Sequence, residues 1–299
     1  MLYYTYSMNE FVLSAVDERM LLFVGRYHYV TAEQMKRAMG YAMLNYTQSR
    51  LKRLNDAGYF RTNFSKRGSQ SGSVPFIYSL SEKGWKVLEG AGVTFDQKKR
   101  PGAEKVYSVV FYEHMLGVVD VLIGFDLLER SRDEVVIDEL RNELDIQRQV
   151  RTYNQQHKTH FVEWDSFIDL TVADYKAPIA LEYDRYTEDR KKWSAKIRRT
   201  VELLEAGYEP LFGQKSVTIA VILGTSEFSS VTPTKRRDQL RRWTANELAR
   251  SGKERWEELF LFTDQPAVMA SGEDARMFFG GTHWYTPTSD TPTALLDMP

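Results

Sequence analysis

The stretch that decides the fold of the N-terminal part is Leu44-Asn45-Tyr46-Thr47-Gln48-Ser49-Arg50-Leu51-Lys52-Arg53-Leu54. Its leucines recur at helical spacing, which predicts a helix over about residues 45–57 with one buried side. Gly58 follows, and a glycine at that position can end the helix in a left-handed conformation. The other side chains of the stretch are mostly polar or basic, so the outward side of this helix is predicted to be positively charged.

The segments on both sides of this helix complete a recognisable order. Thr31-Ala32-Glu33-Gln34 has the pattern of a capping box, and Gly40 can end the helix that the box begins. After the basic helix, two apolar runs flank a tip rich in glycine and serine, which predicts a β-hairpin. The order is typical of a winged helix–turn–helix. The predicted elements are helices over about residues 14–26, 31–40 and 45–57 and strands over about residues 59–64 and 76–80.

The third helix and the hairpin tip carry the positive charge of this module. In a winged helix, the N-terminal end of the third helix meets base edges and its basic side chains neutralise phosphates. The pattern therefore predicts contact with double-stranded DNA, and a solvated helix face or a protein-docking module is the alternative. The residues predicted to contact DNA are Tyr46, Thr47, Gln48, Ser49, Arg50, Lys52, Arg53, Lys66 and Arg67.

The bulk composition limits the classes of protein that the chain can belong to. The 299 residues suit two domains, and 42% hydrophobic with 27% charged residues is ordinary for a globular protein. Cysteine is absent, which excludes disulfides and thiolate metal sites and favours a cytoplasmic location. The N-terminus makes a poor signal peptide, and no apolar run reaches the ~18 residues that span a bilayer. The net charge of −1 means that DNA binding must come from local clusters.

The domain organisation follows from composition and periodicity. The C-terminal part alternates long amphipathic helices with alternating or apolar strands, which predicts a mixed sheet flanked by helices. The predicted fold class is α/β, or α+β for the chain as a whole. The predicted segments are a winged helix–turn–helix over residues 1–95, a basic Pro/Gly linker over 96–105, an α/β domain over 106–285 and a loose tail over 286–299.

Three carboxylates lie on the two predicted strands that alternate most clearly. Asp165 belongs to one of them, and Glu182 and Asp184 share a face of the next. Adjacent strands would bring these oxygens within reach of one hard cation such as Mg²⁺, with Lys192 or Lys196 supplied by the following helix. The alternative is that lysines and arginines pair with the carboxylates and no metal binds. His114 lies on the apolar side of its helix and is predicted to be a core residue.

Two blocks of the sequence are informative together. One is the predicted winged helix that ends Tyr78-Ser79-Leu80-Ser81-Glu82-Lys83-Gly84. The other joins His114-Met115-Leu116-Gly117-Val118-Val119-Asp120 to Asp165, Ala180-Leu181-Glu182-Tyr183-Asp184-Arg185-Tyr186-Thr187 and Lys196. The two blocks resemble the replication-relaxation family of plasmids and mobile elements. The resemblance implies a second domain similar to restriction-endonuclease-like folds.

Those nucleases use an aspartate, then a glutamate or aspartate, one residue, and a lysine. Asp165 and Glu182 match the first two positions, whereas Asp184 stands where the lysine is expected and Trp164 replaces the usual proline. On this comparison, Lys192 or Lys196 would take the role of the missing lysine.

These observations leave three hypotheses about function. The first is a DNA-binding accessory or regulatory protein of mobile-element replication or mobilisation, without a cofactor and without standard nuclease activity. The second is a Mg²⁺-dependent endonuclease or nickase that uses Asp165, Glu182, Asp184 and a helix lysine. The third is a winged-helix transcription regulator. A relaxase, a replication protein or a second copy of the chain is a further partner compatible with them, and a membrane is not expected to be one.

Overall fold

A computed structural model describes residues 11–63, 75–93, 108–186, 188–224 and 231–298. Its contacts divide the chain into two compact units, Met1–Tyr112 and Glu113–Pro299. Both units mix helices and sheet, so the predicted α/β class is confirmed for the described residues. No helix in these ranges is long and apolar enough to cross a membrane.

The first unit builds a small antiparallel sheet and a group of helices. Strand β3 lies between β1 and β2 and pairs with both. The predicted helices and strands of this region are all present. The elements are α1 Ala15–Tyr27, β1 Val30–Thr31, α2 Ala32–Met39, α3 Leu44–Asp56, β2 Phe60–Asn63, β3 Ile77–Leu80 and α4 Glu82–Gly90.

The ends of these helices follow from their local sequence. Ser14 caps α1 in a capping box with Asp17, and Thr31 caps α2 in a capping box with Gln34. Gly40 ends α2 at φ +67°, the left-handed region that a glycine enters without steric cost. The predicted capping box at Thr31 and the predicted glycine cap are therefore confirmed.

One buried carboxylate ties α1 to α3. The Asp17 side chain is fully buried, and its Oδ1 accepts hydrogen bonds from Nε and Nη2 of Arg50 at 3.2 and 2.8 Å. Nη2 of Arg53 donates to Oδ2 at 3.2 Å. Burial alone would raise the pKa of Asp17, but hydrogen bonds from Ser14 and Arg50 outweigh it and lower the pKa. The carboxylate therefore stays charged and holds the third helix against the first.

The second unit surrounds a mixed sheet. Its strands run in the order β4-β5-β7-β8-β9, and β6 pairs with the other part of β5. The elements are α5 Val109–Ser131, which begins in the first unit, β4 Val135–Asn142, α6 Glu143–His157, β5 Ser166–Val172, β6 Tyr175–Lys176, β7 Ile179–Asp184, α7 Arg190–Ala206, α8 Tyr208–Phe212, β8 Thr218–Leu223, α9 Pro233–Ser251, a 3₁₀ helix Glu254–Leu259, β9 Phe260–Thr263 and α10 Gly272–Gly280.

The directions of the strands follow from their connections. Strands β4, β5 and β7 are antiparallel, whereas β7, β8 and β9 are parallel. Helix α7 connects β7 to β8, and α9 lies between β8 and β9, as parallel neighbours require. The residues of β8 from Ile219 onward are all buried, as expected for a central strand.

Two segments differ from the sequence prediction. Residues 143–157, a polar stretch for which no helix or strand is predicted, form α6, because Ile146 and Val150 bury one side of the helix. The segment expected to be a loose tail is packed: the amides of Leu295 and Leu296 donate to the carbonyl of Phe279, and both side chains are buried. The predicted linker 96–105 lies outside the described residues.

Removal of the Asp17 carboxylate is expected to destabilise the first unit by about 3 kcal/mol, because Arg50 would lose its buried partner and α1 its capping box. Urea unfolding of Asp17→Ala, followed by circular dichroism, measures the loss. The matched control is Asp56→Ala, which removes only the exposed pair with Lys52 and should cost less than about 1 kcal/mol. Because the pKa of Asp17 is lowered, its contribution is present above the ordinary value of 3.8 and disappears as the pH falls through the lowered pKa. Equal losses in both variants would contradict the assignment.

Candidate functional site

The surface of α3 differs from the predicted DNA contact in two residues. Thr47 is fully buried, and its hydroxyl donates to the carbonyl of Met43. Arg50 lies on Asp17 and also donates to the Ser14 hydroxyl at 2.7 Å. Helix packing buries Thr47, and the buried carboxylate holds Arg50, which counts against the predicted DNA contact of these two side chains.

The other predicted residues of α3 are accessible. Tyr46, Gln48 and Ser49 are exposed at the N-terminal end of the helix. Lys52 is exposed but pairs with Asp56 at 2.5 Å, and Arg53 keeps 54% of its side chain exposed while it contacts Asp17. The basic residues of the hairpin tip, Lys66 and Arg67, lie outside the described residues. The described part of this face is thus more polar than positive.

A cavity of about 120 Å³ in the second unit brings together the predicted acidic residues. Asp165 directly precedes β5, and its amide donates to the carbonyl of Leu181 in β7 at 3.0 Å. Glu182 follows Leu181, so the two carboxylates come from adjacent strands. Helices α5 and α7 each add a basic side chain. The lining residues of this carboxylate cavity are His114, Asp165, Glu182, Tyr183, Asp184, Glu188, Trp193 and Lys196.

Lys196 is the cation that reaches Glu182. Its Nζ lies 2.6 Å from Oε2 of Glu182 and 3.0 Å from Oε1 of Glu188. Glu182 is buried, and its second oxygen, Oε1, has no hydrogen-bond partner among the described residues. The sequence predicted either Lys192 or Lys196 beside the carboxylates, and Lys196 is the one that lines the cavity. Lys192 lies outside the cavity, in an adjacent groove.

For both members of this pair, burial and the charge of the partner shift the pKa in opposite directions. Burial raises the pKa of Glu182, although Lys196 acts against this shift. Burial alone would lower the pKa of Lys196, but the charge of Glu182 and its neighbours outweighs it and raises the pKa. We take the ion pair as the state near neutral pH, because a protonated amine at 2.6 Å favours the carboxylate form.

His114 holds the other carboxylate. Its Nε2 lies 3.2 Å from Oδ1 of Asp165 and 4.0 Å from Oε2 of Glu143. Burial by itself would lower the pKa of His114, but attraction to Asp165 outweighs it and raises the pKa to about 9. The imidazole is therefore charged at neutral pH. Oδ2 of Asp165 accepts a hydrogen bond from the amide of Tyr183 at 2.7 Å. Each oxygen thus has a partner, and together the two partners fix the orientation of the carboxylate.

Glycines on both sides of Tyr183 allow this arrangement. A Cβ on Gly117 would lie 2.2 Å from the Tyr183 ring, and one on Gly224 would lie 2.7 Å from it. Both distances are far below van der Waals contact, so only glycine permits the ring to occupy this position. The glycine within the His114–Asp120 block thus has a packing role next to the cavity.

Asp184 has a different partner from the one predicted. Its two oxygens accept from Nε and Nη2 of Arg236 at 2.8 and 2.9 Å, and both side chains are buried. Nη2 of Arg236 also donates to the carbonyl of Glu188 at 2.8 Å. A bidentate guanidinium neutralises Asp184 and occupies both of its oxygens. The carboxylate is therefore a structural anchor for α9, which counts against its predicted role as a metal ligand.

The side chains of the carboxylate cavity offer few ligands for a metal ion. No group of three or more histidine, aspartate or glutamate side chains in the described ranges is arranged to hold one. Asp165 and Glu182 offer two carboxylates, and the unpartnered Oε1 of Glu182 is an oxygen that a cation would satisfy. Mg²⁺ needs few protein ligands, since it keeps several waters and takes phosphate oxygens. Asp165 and Glu182 are therefore the residues that would hold such an ion.

Sequence reasoning missed several members of the site. His114 was assigned to the core because it lies on the apolar side of α5, and that periodicity gave no sign of Asp165 beside it. Glu143 and Glu188 lie in segments without a strand pattern. Arg236 was one of several cations on a basic helix, and nothing in its spacing distinguished it.

The mixed α/β architecture and the order of its elements can now be set beside known protein families. The model of the replication-relaxation family matches residues 21–212, more than half of the chain, so the protein is a member of that family. Membership suggests a role in plasmid or mobile-element replication. Neither the curated proteins nor the solved structures that were compared with the chain gave a match.

The raised pKa of His114 predicts how stability depends on pH. A raised pKa stabilises the folded protein below the ordinary value of 6.5, and this contribution disappears as the pH rises through about 9. His114→Gln should therefore lower the thermal midpoint more at pH 6 than at pH 9.5. His157→Gln, which changes an exposed histidine, is the control and should have little effect. A pH-independent loss in His114→Gln would contradict the ion pair with Asp165.

Proposed function

We propose that this protein processes DNA during mobile-element replication, with a DNA-binding first unit and a Mg²⁺-dependent phosphodiester-cleaving site in the second. The observation that carries the proposal is the convergence of Asp165, Glu182 and Lys196 on one small cavity. Two carboxylates and a lysine are the residue types that the restriction-endonuclease-like motif requires. Here the lysine comes from α7 rather than from β7.

Each side chain of the cavity has a distinct task in this proposal. Asp165 and Oε1 of Glu182 would hold Mg²⁺, which supplies polarisation of the phosphodiester and a bound water of lowered pKa. Lys196 stays protonated, so it can stabilise the negative charge that develops on the phosphate. His114 positions Asp165, because its imidazole and the Tyr183 amide fix the two carboxylate oxygens.

The order of elements supports the same assignment. A helix, three antiparallel strands, a second helix and a parallel strand follow one another as α5, β4, β5, β7, α7 and β8, with α6 and β6 inserted. The carboxylates lie where β5 begins and within β7. A mixed sheet that places Asp165 next to Glu182 is compatible with the restriction-endonuclease-like domain that the family resemblance implies.

The first unit supports the DNA-binding half of the proposal. Its helices, its three paired strands and the hairpin from β2 to β3 have the order of a winged helix–turn–helix. Tyr46, Gln48 and Ser49 are exposed at the N-terminal end of α3. Polar side chains at this position are suited to contact base edges in a major groove.

A second candidate is DNA binding or partner docking without cleavage. It is favoured by the internal pairing of the acidic residues, since His114 contacts Asp165, Lys196 contacts Glu182 and Arg236 contacts Asp184. Because each of these three carboxylates has a cationic side chain beside it, none of them requires a metal ion for charge balance. In that case the second unit would position a relaxase, a replication protein or DNA.

Cleavage of supercoiled plasmid separates these candidates. With Mg²⁺ the wild-type protein should nick the plasmid, and Asp165→Asn or Lys196→Ala should reduce the rate by at least about 100-fold, because each removes a charge at the reacting phosphate. Lys191→Ala, an exposed lysine of α7 outside the cavity, is the matched control and should keep the rate. An absence of nicking with Mg²⁺ and Mn²⁺ on several DNA substrates would leave the binding-only candidate.

The exposed end of α3 provides a test of the DNA-binding unit. Gln48→Ala with Ser49→Ala should weaken binding to a preferred duplex by about 1–3 kcal/mol, the range for a lost base contact. A gel-shift titration measures the loss, and Lys86→Ala, an exposed cation on α4, is the control. Arg50→Ala is unsuitable, because it removes the partner of Asp17. Unchanged affinity would contradict the assignment of α3 to the major groove.

A further inference from the structure

A second groove begins where the carboxylate cavity ends. It has a volume of about 440 Å³ and runs along α7, and Glu188 and Lys196 belong to both spaces. We call it the α7 groove. The residues on which the argument depends are Phe161, Glu188, Lys192, Ala195, Lys196 and Arg199.

The basic side chains of this groove lie on one side of the helix. Lys192, Lys196 and Arg199 are separated by four and three residues, so they follow one face over about 10 Å of helix axis. The other sides of α7 have different surroundings: Trp193 and Ile197 are buried in the core, and Arg198 pairs with Glu247 at 2.9 Å. The positive stripe therefore belongs to the groove.

The charge of the groove is not balanced by its own acids. Glu188 is paired with Lys196, and a second glutamate of the wall, Glu163, is paired with Arg151 through two contacts of 2.7 Å. Lys192 and Arg199 are exposed and have no ion-pair partner in the part of the chain that the structure describes. Two positive charges thus remain available for an external anion beside the cavity.

We infer that the α7 groove holds the phosphate backbone of one DNA strand next to the phosphate that enters the carboxylate cavity. The inference rests on the proposed function, since it names the path that its substrate takes. Glu188 and Lys196 line both spaces, so a strand in the groove would lie next to the site of Asp165 and Glu182. The groove has room for a nucleotide-sized group, and Phe161 and Ala195 give it an apolar part for a sugar or a base.

Binding of a fluorescein-labelled single-stranded oligonucleotide to the full chain tests this path. Anisotropy is measured in EDTA, so neither cleavage nor a metal bridge contributes. Lys192→Ala with Arg199→Ala should weaken binding about tenfold at low salt and lower the salt slope by about 1.4, since each phosphate contact to a single strand contributes about 0.7. Arg190→Ala with Lys191→Ala removes the same charge from exposed positions of α7 outside the groove and should change affinity less than about twofold.

The outcomes separate this inference from the proposed cleavage. A loss specific to the groove variant supports the strand path, whether or not the protein nicks plasmid DNA. Equal losses in the two double variants, or none in either, overturn it even if cleavage is observed. A loss seen only with a duplex probe overturns the assignment to one strand. Circular dichroism of both variants verifies that the exposed substitutions leave the fold intact.

Discussion

The buried charge of Glu182 is the constraint on which the second unit depends. A carboxylate without a partner in such a place costs several kcal/mol, so Lys196 must reach it from α7. That requirement fixes the helix against β7 and brings the groove face of α7 beside the cavity. Asp17 imposes the same condition on the first unit, where Arg50 joins α3 to α1. Each unit thus contains a buried acid whose basic partner joins two secondary-structure elements.

The position of Asp165 in the cavity follows from its hydrogen bonds to the backbone of β7. Because Asp165 pairs with the backbone of β7 through both its amide and its side chain, it lies in a fixed position beside Glu182. Tyr183 can support this only because Gly117 of α5 leaves space for its ring. His114 is three residues earlier on the same helix, so the packing contact and the charged contact are set together.

Much of the secondary structure could be predicted from sequence, because periodicity and caps are local. The helix from Thr31 to Gly40 and the strands β2 and β3 are examples. Pairing of charges could not be predicted, since Asp17 and Arg50 are 33 residues apart and Asp184 and Arg236 are 52 apart. Spacing indicated a helix lysine near the acids but could not separate Lys192 from Lys196. A polar composition concealed α6, whose burial depends on only a few apolar residues.

The position of Arg236 determines where a fragment of this protein can end. The region that matches the family ends at residue 212, before β8, α9 and β9. Yet the guanidinium that neutralises Asp184 comes from α9, and two strands of the central sheet also come from beyond the match. A fragment that ends at residue 212 would lack β8, which covers one edge of β7, and would leave the carboxylate of Asp184 without Arg236. The matched region therefore ends inside the second compact unit, and a fragment for study should include the rest of that unit.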